Sequence, residues 1–302
     1  MNDRPIRHSR TLIALILLLA AVPAFADPPT PAALATYQNY VAALEARLTR
    51  QHASAATFLA GLPFDSENQG RLHQGELLID DLTPPDGAPL PGALLHHWRA
   101  TAFVPGATAD AFDRLLRDFP AYPRVFARQV IAARAETPTG EPVAPRNYQV
   151  LLRVRQHHVL TVVLETAYDV AFVQLDPQHR SSISRSTQIA EIGSPGTPAE
   201  HALSPSDDHG YLWRQNTYWS WEERDGGLYL QIESVSLTRS IPYGLGWAVG
   251  PYIASVPRDS LTFTLGAAAA ALRSSPGPRL ASSASRHDLT PHDLNPHERT
   301  RP

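Results

Sequence analysis

Hydrophobic and polar positions along the chain follow two different periods, and the first of them is helical. Behind Thr30 and Pro31, apolar residues recur at alternating steps of three and four: Leu34, Tyr37, Val41, Leu44 and Leu48. Thr suits a helix cap and Pro the first helical position, so the pattern predicts a helix over about 31–60, which Gly61 and Pro63 end. We expect its apolar face to pack on the domain that follows. Docking on a partner or a membrane surface is the alternative.

From Arg71 onward the period becomes that of strands. Residues 71–82 and 94–103 predict two strands, separated by a loop that is rich in Pro and Gly. Thr108 then caps a predicted short helix, which Pro120 and Pro123 break. The order to this point is therefore strand, strand, helix.

The rest of the ordered chain predicts an antiparallel meander followed by a helix. Six segments are rich in β-branched and aromatic residues: 129–136, 146–157, 159–173, 181–192, 211–224 and 228–240. The turn Asp225-Gly226-Gly227 is a hairpin signal, because paired glycines accept the positive φ of a tight reversal. In the long apolar segment 243–272 we expect a short, kinked approach and then a helix that begins near Pro257.

The two ends of the chain differ from the middle. Residues 1–26 carry three Arg, then an apolar run, then Ala24-Phe25-Ala26, which is the order of a secretory signal. We expect cleavage after Ala26 and a periplasmic or secreted mature protein. Residues 274–302 are dominated by Ser, Pro, Arg and His and predict a disordered tail. The evenly spaced His287, His292 and His297 in this tail are alternatively a weak metal site.

Composition and motif content exclude several classes of function. The chain has no Cys, which removes disulfides, thiolate nucleophiles and Cys-bound zinc. Its formal net charge is −3, and removal of residues 1–26, with three Arg and one Asp, lowers it to −5, so no basic surface supports nucleic-acid binding. Gly-x-Ser-x-Gly, His-Glu-x-x-His and Walker-type phosphate loops do not occur. No catalytic residue, metal ligand or cofactor site is therefore predicted.

Three segments stand out beside this order of elements. They are His97-Trp98-Arg99-Ala100 leading into 103–108, Tyr211 to Trp219, and 233–242 followed by 257–261. Together with the element order they resemble the START-like (SRPBCC, helix-grip) superfamily, in a branch of exported bacterial proteins whose late strand ends at a Ser/Thr-Arg-x-x-Pro step into the closing helix. The resemblance covers about residues 70–273.

The resemblance implies an α+β fold in which an antiparallel sheet wraps around a long C-terminal helix. The domain would span residues 70–273, with the amphipathic helix of residues 27–62 as an addition. It also implies a cavity between sheet and helix that binds a hydrophobic or amphipathic small molecule, such as a lipid or a quinone-like compound. No cofactor is implied.

Nine residues are candidates to line such a cavity: Trp98, Arg153, Tyr168, Trp213, Tyr218, Trp219, Glu233, Arg239 and Trp247. Both faces of the strand 211–224 carry aromatic rings, so its periodicity leaves open which face meets the cavity. Glu233 shares a strand face with apolar neighbours, and a buried charge needs a partner. A pair with Arg239, Arg214 or Arg153 inside the pocket would orient a polar ligand head. Core packing of the rings and a structural or solvent-facing salt bridge are the alternatives.

Two other functions stay open from the sequence. A cyclase- or hydrolase-type enzyme would use the same cavity, with Tyr168, Glu233 and Arg239 as the residues for acid–base chemistry. An envelope interaction module would instead dock through the N-terminal helix. An apolar stripe left exposed on the folded domain would favour that third function.

Overall fold

The structure is a computed structural model that describes residues 28–61, 64–84, 90–136, 147–157, 161–240 and 246–274. Side chains are described for all of these except residue 157 and residues 246–254. The predicted signal segment and the tail with its three histidines lie outside the described residues.

The described residues form five helices and nine strands. The helices are α1 (Pro31–Gln51), α2 (Ser66–His73), α3 (Ala109–Arg117), α4 (Tyr122–Val125) and α5 (Gly246–Ser274). The strands are β1 (Leu78–Asp81), β2 (Ala93–Pro105), β3 (Val130–Glu136), β4 (Asn147–His157), β5 (Thr161–Gln174), β6 (His179–Gly193), β7 (His201–Ala202), β8 (Arg214–Arg224) and β9 (Gly227–Arg239). No helix in this part of the chain is both long enough and apolar enough to cross a membrane.

All nine strands belong to one antiparallel sheet. Its spatial order is β1-β2-β9-β8-β6-β5-β4-β3, and the two-residue β7 pairs with β6 outside this path. The long crossover from β2 to β3 contains α3 and α4, whereas the meander from β3 to β6 joins sequential neighbours. The tight turn between β8 and β9 has positive φ at Asp225 (57°) and Gly226 (75°), as the paired-glycine signal predicts.

The side of the sheet that contacts α5 is the inner face. Alternate residues of the central strands project there and form the main apolar core with α5 and α3. Leu261, Leu265 and Ala268 of α5 are buried in this core, as are Leu230 and Ile232 of β9. The C-terminal helix is thus gripped by the sheet, as the resemblance implies.

The opposite side, the outer face, is covered by the N-terminal segment. The buried residues of α1 pack there on apolar side chains of β2, β8 and β9: Ala33, Tyr37, Leu44 and Leu48 against Leu95, Tyr218, Val235 and Leu237. A second cluster joins Phe58, Leu59 and Leu72, around α2, to Phe103 and Tyr229 of the sheet. The described part of α1 therefore keeps no exposed apolar stripe of the kind that docking on a partner requires.

Polar side chains add specific contacts beneath α1. Glu45 accepts two hydrogen bonds from Arg185, at 2.7 and 2.8 Å, and one from the Tyr218 hydroxyl at 3.1 Å. The Tyr37 hydroxyl donates to the carbonyl oxygen of Val235 at 3.3 Å. These contacts fix the rotation of α1 on the sheet, because each one joins a defined helix position to a defined strand position.

Several element boundaries differ from the sequence prediction. Residues 71–82, predicted as one strand, divide between the end of α2 and the short β1, because Asp65 caps a helix by accepting from the Asn68 amide at 2.8 Å. The first helix ends at Gln51 and gives way to a short 3₁₀ turn, Ala55–Thr57, so its predicted extent to residue 60 was too long. The predicted cap at Thr30 is confirmed by a hydrogen bond from the Ala33 amide at 3.1 Å.

The short helix α3 ends at Arg117, before Pro120, as predicted, whereas Pro257 does not begin the closing helix. Pro120 and Pro123 each stand in the first turn of a new helical segment, a 3₁₀ turn and then α4, where a missing amide proton costs nothing. The closing helix begins at Gly246, well before Pro257, and runs as one element to Ser274. Its burial against the sheet outweighs the intrinsic cost of the two prolines within it.

A charge placed under α1 is expected to destabilise the protein. Leu44→Asp would put a carboxylate into the buried contact with the sheet and should lower the free energy of unfolding by about 3 kcal/mol or more. Ala43→Asp, on the exposed side of the same helix turn, should lower it by less than about 1 kcal/mol. Urea denaturation followed by circular dichroism measures both. Equal stability of the two variants would mean that α1 does not pack on the sheet.

The contact between the C-terminal end of α1 and the sheet is expected to weaken in mild acid, because His52 becomes protonated. Burial lowers the pKa of this imidazole from 6.5 to about 4, and its Nε2 lies 2.8 Å from the Ser220 hydroxyl. Between these two pH values the unfolded chain binds the proton more readily. This group alone should therefore reduce the free energy of unfolding by up to about 3 kcal/mol as the pH falls through that window.

Urea denaturation of the wild type and of His52→Gln at a series of pH values isolates this effect. The variant keeps a polar partner for Ser220 and cannot take up the proton. Its stability should depend less steeply on pH between about 6.5 and 4. Parallel pH profiles would assign the acid sensitivity to other groups.

Candidate ligand cavity

A cavity lies between the inner face of the sheet, α5 and the α3–α4 segment. Its volume is about 180 Å³, and a smaller cavity of about 90 Å³ adjoins it beside the first part of α5. The two cavities share six lining residues: Gln156, Leu212, Gln215, Thr217, Ser260 and Thr264. They therefore form two parts of one recess under the C-terminal helix.

One wall of the main cavity is apolar. Strands β4 and β5 supply aliphatic and aromatic side chains, and the segment around α4 closes the end. These residues are Val150, Leu152, Val154, Val170, Phe172, Leu116, Phe119, Phe126 and Val130. Such a wall favours the hydrocarbon part of a ligand, because contact removes apolar surface from water.

The adjoining polar wall lies on the same face of the sheet, where β6, β8 and β9 present uncharged polar side chains beside Trp219 and Ile232. In the sheet register Ser184 lies opposite Thr217, and Thr217 lies opposite Ser234, so three strands present one continuous row. The next row pairs Gln215 with Ser236. Side chains opposite each other in a sheet are about 5 Å apart, so the rows form a closely spaced set of hydrogen-bonding groups.

Some of these polar groups are engaged with the protein and others are free. The Tyr168 hydroxyl donates to the Gln215 side-chain oxygen at 3.1 Å, and burial raises the pKa of Tyr168 to about 12, so it stays protonated. The hydroxyls of Ser184, Thr217 and Ser236 make no hydrogen bond to any described residue. Because polar groups in an interior normally have partners, these hydroxyls are available to a ligand or to water.

Charge is nearly absent from the recess. Among the described residues that line the two cavities there is no Asp, Glu or His, and the single charged side chain is the exposed Arg155. His96 lies next to this wall, with its Nε2 3.2 Å from the Thr238 hydroxyl, and burial lowers its pKa, which favours the neutral ring. The described residues also hold no cluster of His, Asp or Glu that fits a metal ion.

Of the nine candidate residues, the structure places Tyr168 and Trp219 in the wall of the cavity. Trp219 also meets Phe112 of α3 in an edge-to-face contact with ring centroids 5.1 Å apart. Trp98 packs on the same inner face, outside the cavity lining, and its buried indole nitrogen has no hydrogen-bond partner among the described residues.

Glu233 lies on the outer face, so the pair that was expected inside the pocket does not form there. Its carboxylate accepts from Arg47 of α1 and lies 3.0 Å from Nε2 of His97, whose Nδ1 is 2.7 Å from the Tyr40 hydroxyl. Burial alone would raise the pKa of Glu233, but the hydrogen bond from His97 and the positive charge of Arg47 bring it below its usual value. The carboxylate is ionised and serves to attach α1 to the sheet.

The other candidates also lie away from the cavity. Trp213 and Tyr218 are buried on the outer face under α1. Arg153 pairs with Glu200 at 2.7 Å and with Glu165 at 3.4 Å at the surface of β4. Arg239 ends β9 without an ion pair to any described residue. Trp247 lies in the first turn of α5, and its side chain is outside the described part of the structure.

Sequence reasoning missed most of the polar wall. Ser184, Gln215 and Thr217 all line the cavity, but Ser, Gln and Thr are common on protein surfaces, so these residue types do not indicate a binding site. The sequence did contain a clue, because Ser182 and Ser184 alternate within a strand that is paired on one side with the apolar residues Val170 and Phe172. Small hydroxyl residues at alternating buried positions indicate an unfilled space that a core of Val and Leu would close.

Comparison with known proteins returns matches among solved structures and none by sequence. No protein-family model matches the chain, and no curated protein matches it. A STAR-related lipid transfer protein fragment from Xanthomonas axonopodis has 16% identity and a TM-score of 0.40, over 65% of this chain and 98% of that one. An aromatase/cyclase from a Streptomyces species has 16% identity and a TM-score of 0.38, over 59% and 94%. A major latex-like protein from Panax ginseng has 7% identity and a TM-score of 0.36, over 59% and 98%.

The fold assignment rests on the topology of the chain itself. One antiparallel sheet with helices in the crossover from β2 to β3, closed by a long helix against its inner face, is the arrangement that the sequence resemblance implies. The protein has the START-like helix-grip fold, with an added N-terminal helix on the outer face of its sheet.

Proposed function

We propose that this is an exported binding protein that holds a hydrophobic or amphipathic small molecule, of a lipid or quinone-like kind, in the recess under α5. The observation that carries the proposal is an apolar wall with free hydroxyls directly beside it on the same face of the sheet. An amphipathic molecule satisfies both walls at once, whereas water satisfies the polar one alone.

The enzyme alternative has less support from the geometry. An acid–base pair would have to face the same bound molecule, and Tyr168 points into the cavity while Glu233 lies under α1 on the other side of the sheet. The described lining residues contain no carboxylate or imidazole to exchange a proton near neutral pH. Binding and release of a ligand need no such group.

An aromatic side chain introduced into the cavity should prevent ligand binding. Val154 lines the cavity, and Leu151 on the same strand projects from the opposite face and is 37% exposed. Native mass spectrometry of gently purified protein, with organic extraction of the same sample, should show an additional stoichiometric mass in the wild type and in Leu151→Phe. Val154→Phe should lose it while keeping the far-ultraviolet spectrum of the folded protein. A bare wild-type mass, or an equal extra mass in both variants, would contradict binding at this site.

Export has its own test, which does not depend on the ligand. Expression of the full chain in a Gram-negative host should yield, in the periplasmic fraction, a protein whose intact mass corresponds to a start at Asp27. Ala26→Arg replaces the small residue before the expected cleavage site and should leave residues 1–26 attached. A wild-type protein that stays in the cytoplasm at full length would contradict the proposal of export.

A further inference from the structure

We infer that the recess selects uncharged, compact molecules that carry hydroxyl or carbonyl groups along one edge. This inference rests on the proposed function, since it names the class of ligand that the same recess would take. It depends on three features of the walls: the absence of charge, the spacing of the free hydroxyls, and the volume enclosed.

The absence of charge disfavours ionic ligands. A carboxylate or phosphate that enters the recess loses its hydration. Among the described lining residues the only cationic side chain that could pair with it is Arg155, which is exposed. A cationic ligand meets no carboxylate there. The ions therefore stay in water, and neutral molecules enter at lower cost.

The polar wall is suited to neutral hydrogen-bonding groups. A Ser or Thr hydroxyl both donates and accepts, so it serves a ligand hydroxyl and a ligand carbonyl equally well. Ser184 and Thr217 are register partners on adjacent strands, so their Cβ atoms are about 5 Å apart, and both hydroxyls are free. Two oxygen atoms on neighbouring positions of a ring system would reach both, and the ring body would then lie against Val150 and Phe172.

The volume of the recess bears on the size of the ligand. Its two adjoining cavities measure about 180 and 90 Å³, which together come close to the lower end of ligand pockets in proteins, at about 300 Å³. One or two fused six-membered rings fit this space better than a lipid with long acyl chains. Within the proposed class of ligands, a compact molecule is therefore the better match.

Three naphthalene derivatives of similar size separate these effects. Naphthalene tests the apolar wall alone, a dihydroxynaphthalene with both hydroxyls on one edge tests the polar wall, and naphthoate tests the response to an anion. Binding to the mature chain at neutral pH is measured by the fluorescence of the naphthalene ring. The dihydroxynaphthalene should bind at least about 10-fold more tightly than naphthoate, with naphthalene between them.

The variants Thr217→Val and Ser184→Ala locate the effect on the polar wall. Each should weaken dihydroxynaphthalene binding by about 5-fold to 10-fold and leave naphthalene binding within about 2-fold, because only hydrogen bonds are removed. Thr187→Val makes the same change as Thr217→Val at an exposed position of β6, so it is the matched control and should change neither affinity.

The outcomes separate this inference from the proposed function. Tighter binding of naphthoate than of the dihydroxynaphthalene, or a charged molecule extracted from the purified protein, would overturn the inference and leave ligand binding in place. Equal loss of naphthalene and dihydroxynaphthalene binding in Thr217→Val would overturn the role of the hydroxyls. No binding of any of the three, together with a bare protein mass, would overturn the proposed function itself.

Discussion

The structure depends on covering both faces of a single antiparallel sheet. Successive residues of a strand point to opposite sides, so the central strand β9 sends Leu230 and Ile232 to α5 and Val235 and Leu237 to α1. A sheet of this kind is stable in water only if each apolar face is covered. The C-terminal helix covers one face, and the N-terminal helix, an addition to the START-like core, covers the central part of the other.

The buried polar contacts under α1 follow from this arrangement. An apolar contact alone would allow the helix to slide or rotate on the sheet, whereas Arg47 on Glu233 and Glu45 on Arg185 hold it at one position. Both arginines are partly exposed, so these ion pairs contribute little net stability, and their main effect is to fix the position of the helix. On this interpretation Glu233, the most conspicuous charge in its strand, is a structural residue of the helix–sheet contact.

The recess on the inner face arises where the side chains of α5 and of the sheet do not fill the space between these two elements. Leu261 and Leu265 of α5 pack into the sheet, whereas Ser260 and Thr264, on the neighbouring stripe, line the recess and hydrogen-bond with Gln129. Small polar residues on both sides leave a gap that aliphatic residues would close. The same choice of residues thus produces both the volume and the neutral polar character of the cavity.

Local patterns in the sequence determined a large part of the fold. The helical spacing from Leu34 to Leu48, the cap at Thr30, the paired glycines after Asp225 and the six β-rich segments each act over a few residues, and each reappears in the structure. The order of elements then indicated a sheet around a C-terminal helix. Helix ends were predicted less well, because proline is tolerated in the first turn of a helix and tertiary packing extends α5 through two of them.

Only the tertiary structure decided which side chains meet in the cavity. Period-two alternation separates the two faces of β8 but does not say which face meets the cavity, so Trp219 and Tyr218 were equal candidates. The structure decides between them, because α5 packs on the face of Trp219 and α1 on the face of Tyr218. The partners of Glu233 come from residues 47 and 97, far away in sequence, and no local spacing reveals such a contact. A binding site assembled from several strands depends on register, and register is set by packing across the whole sheet.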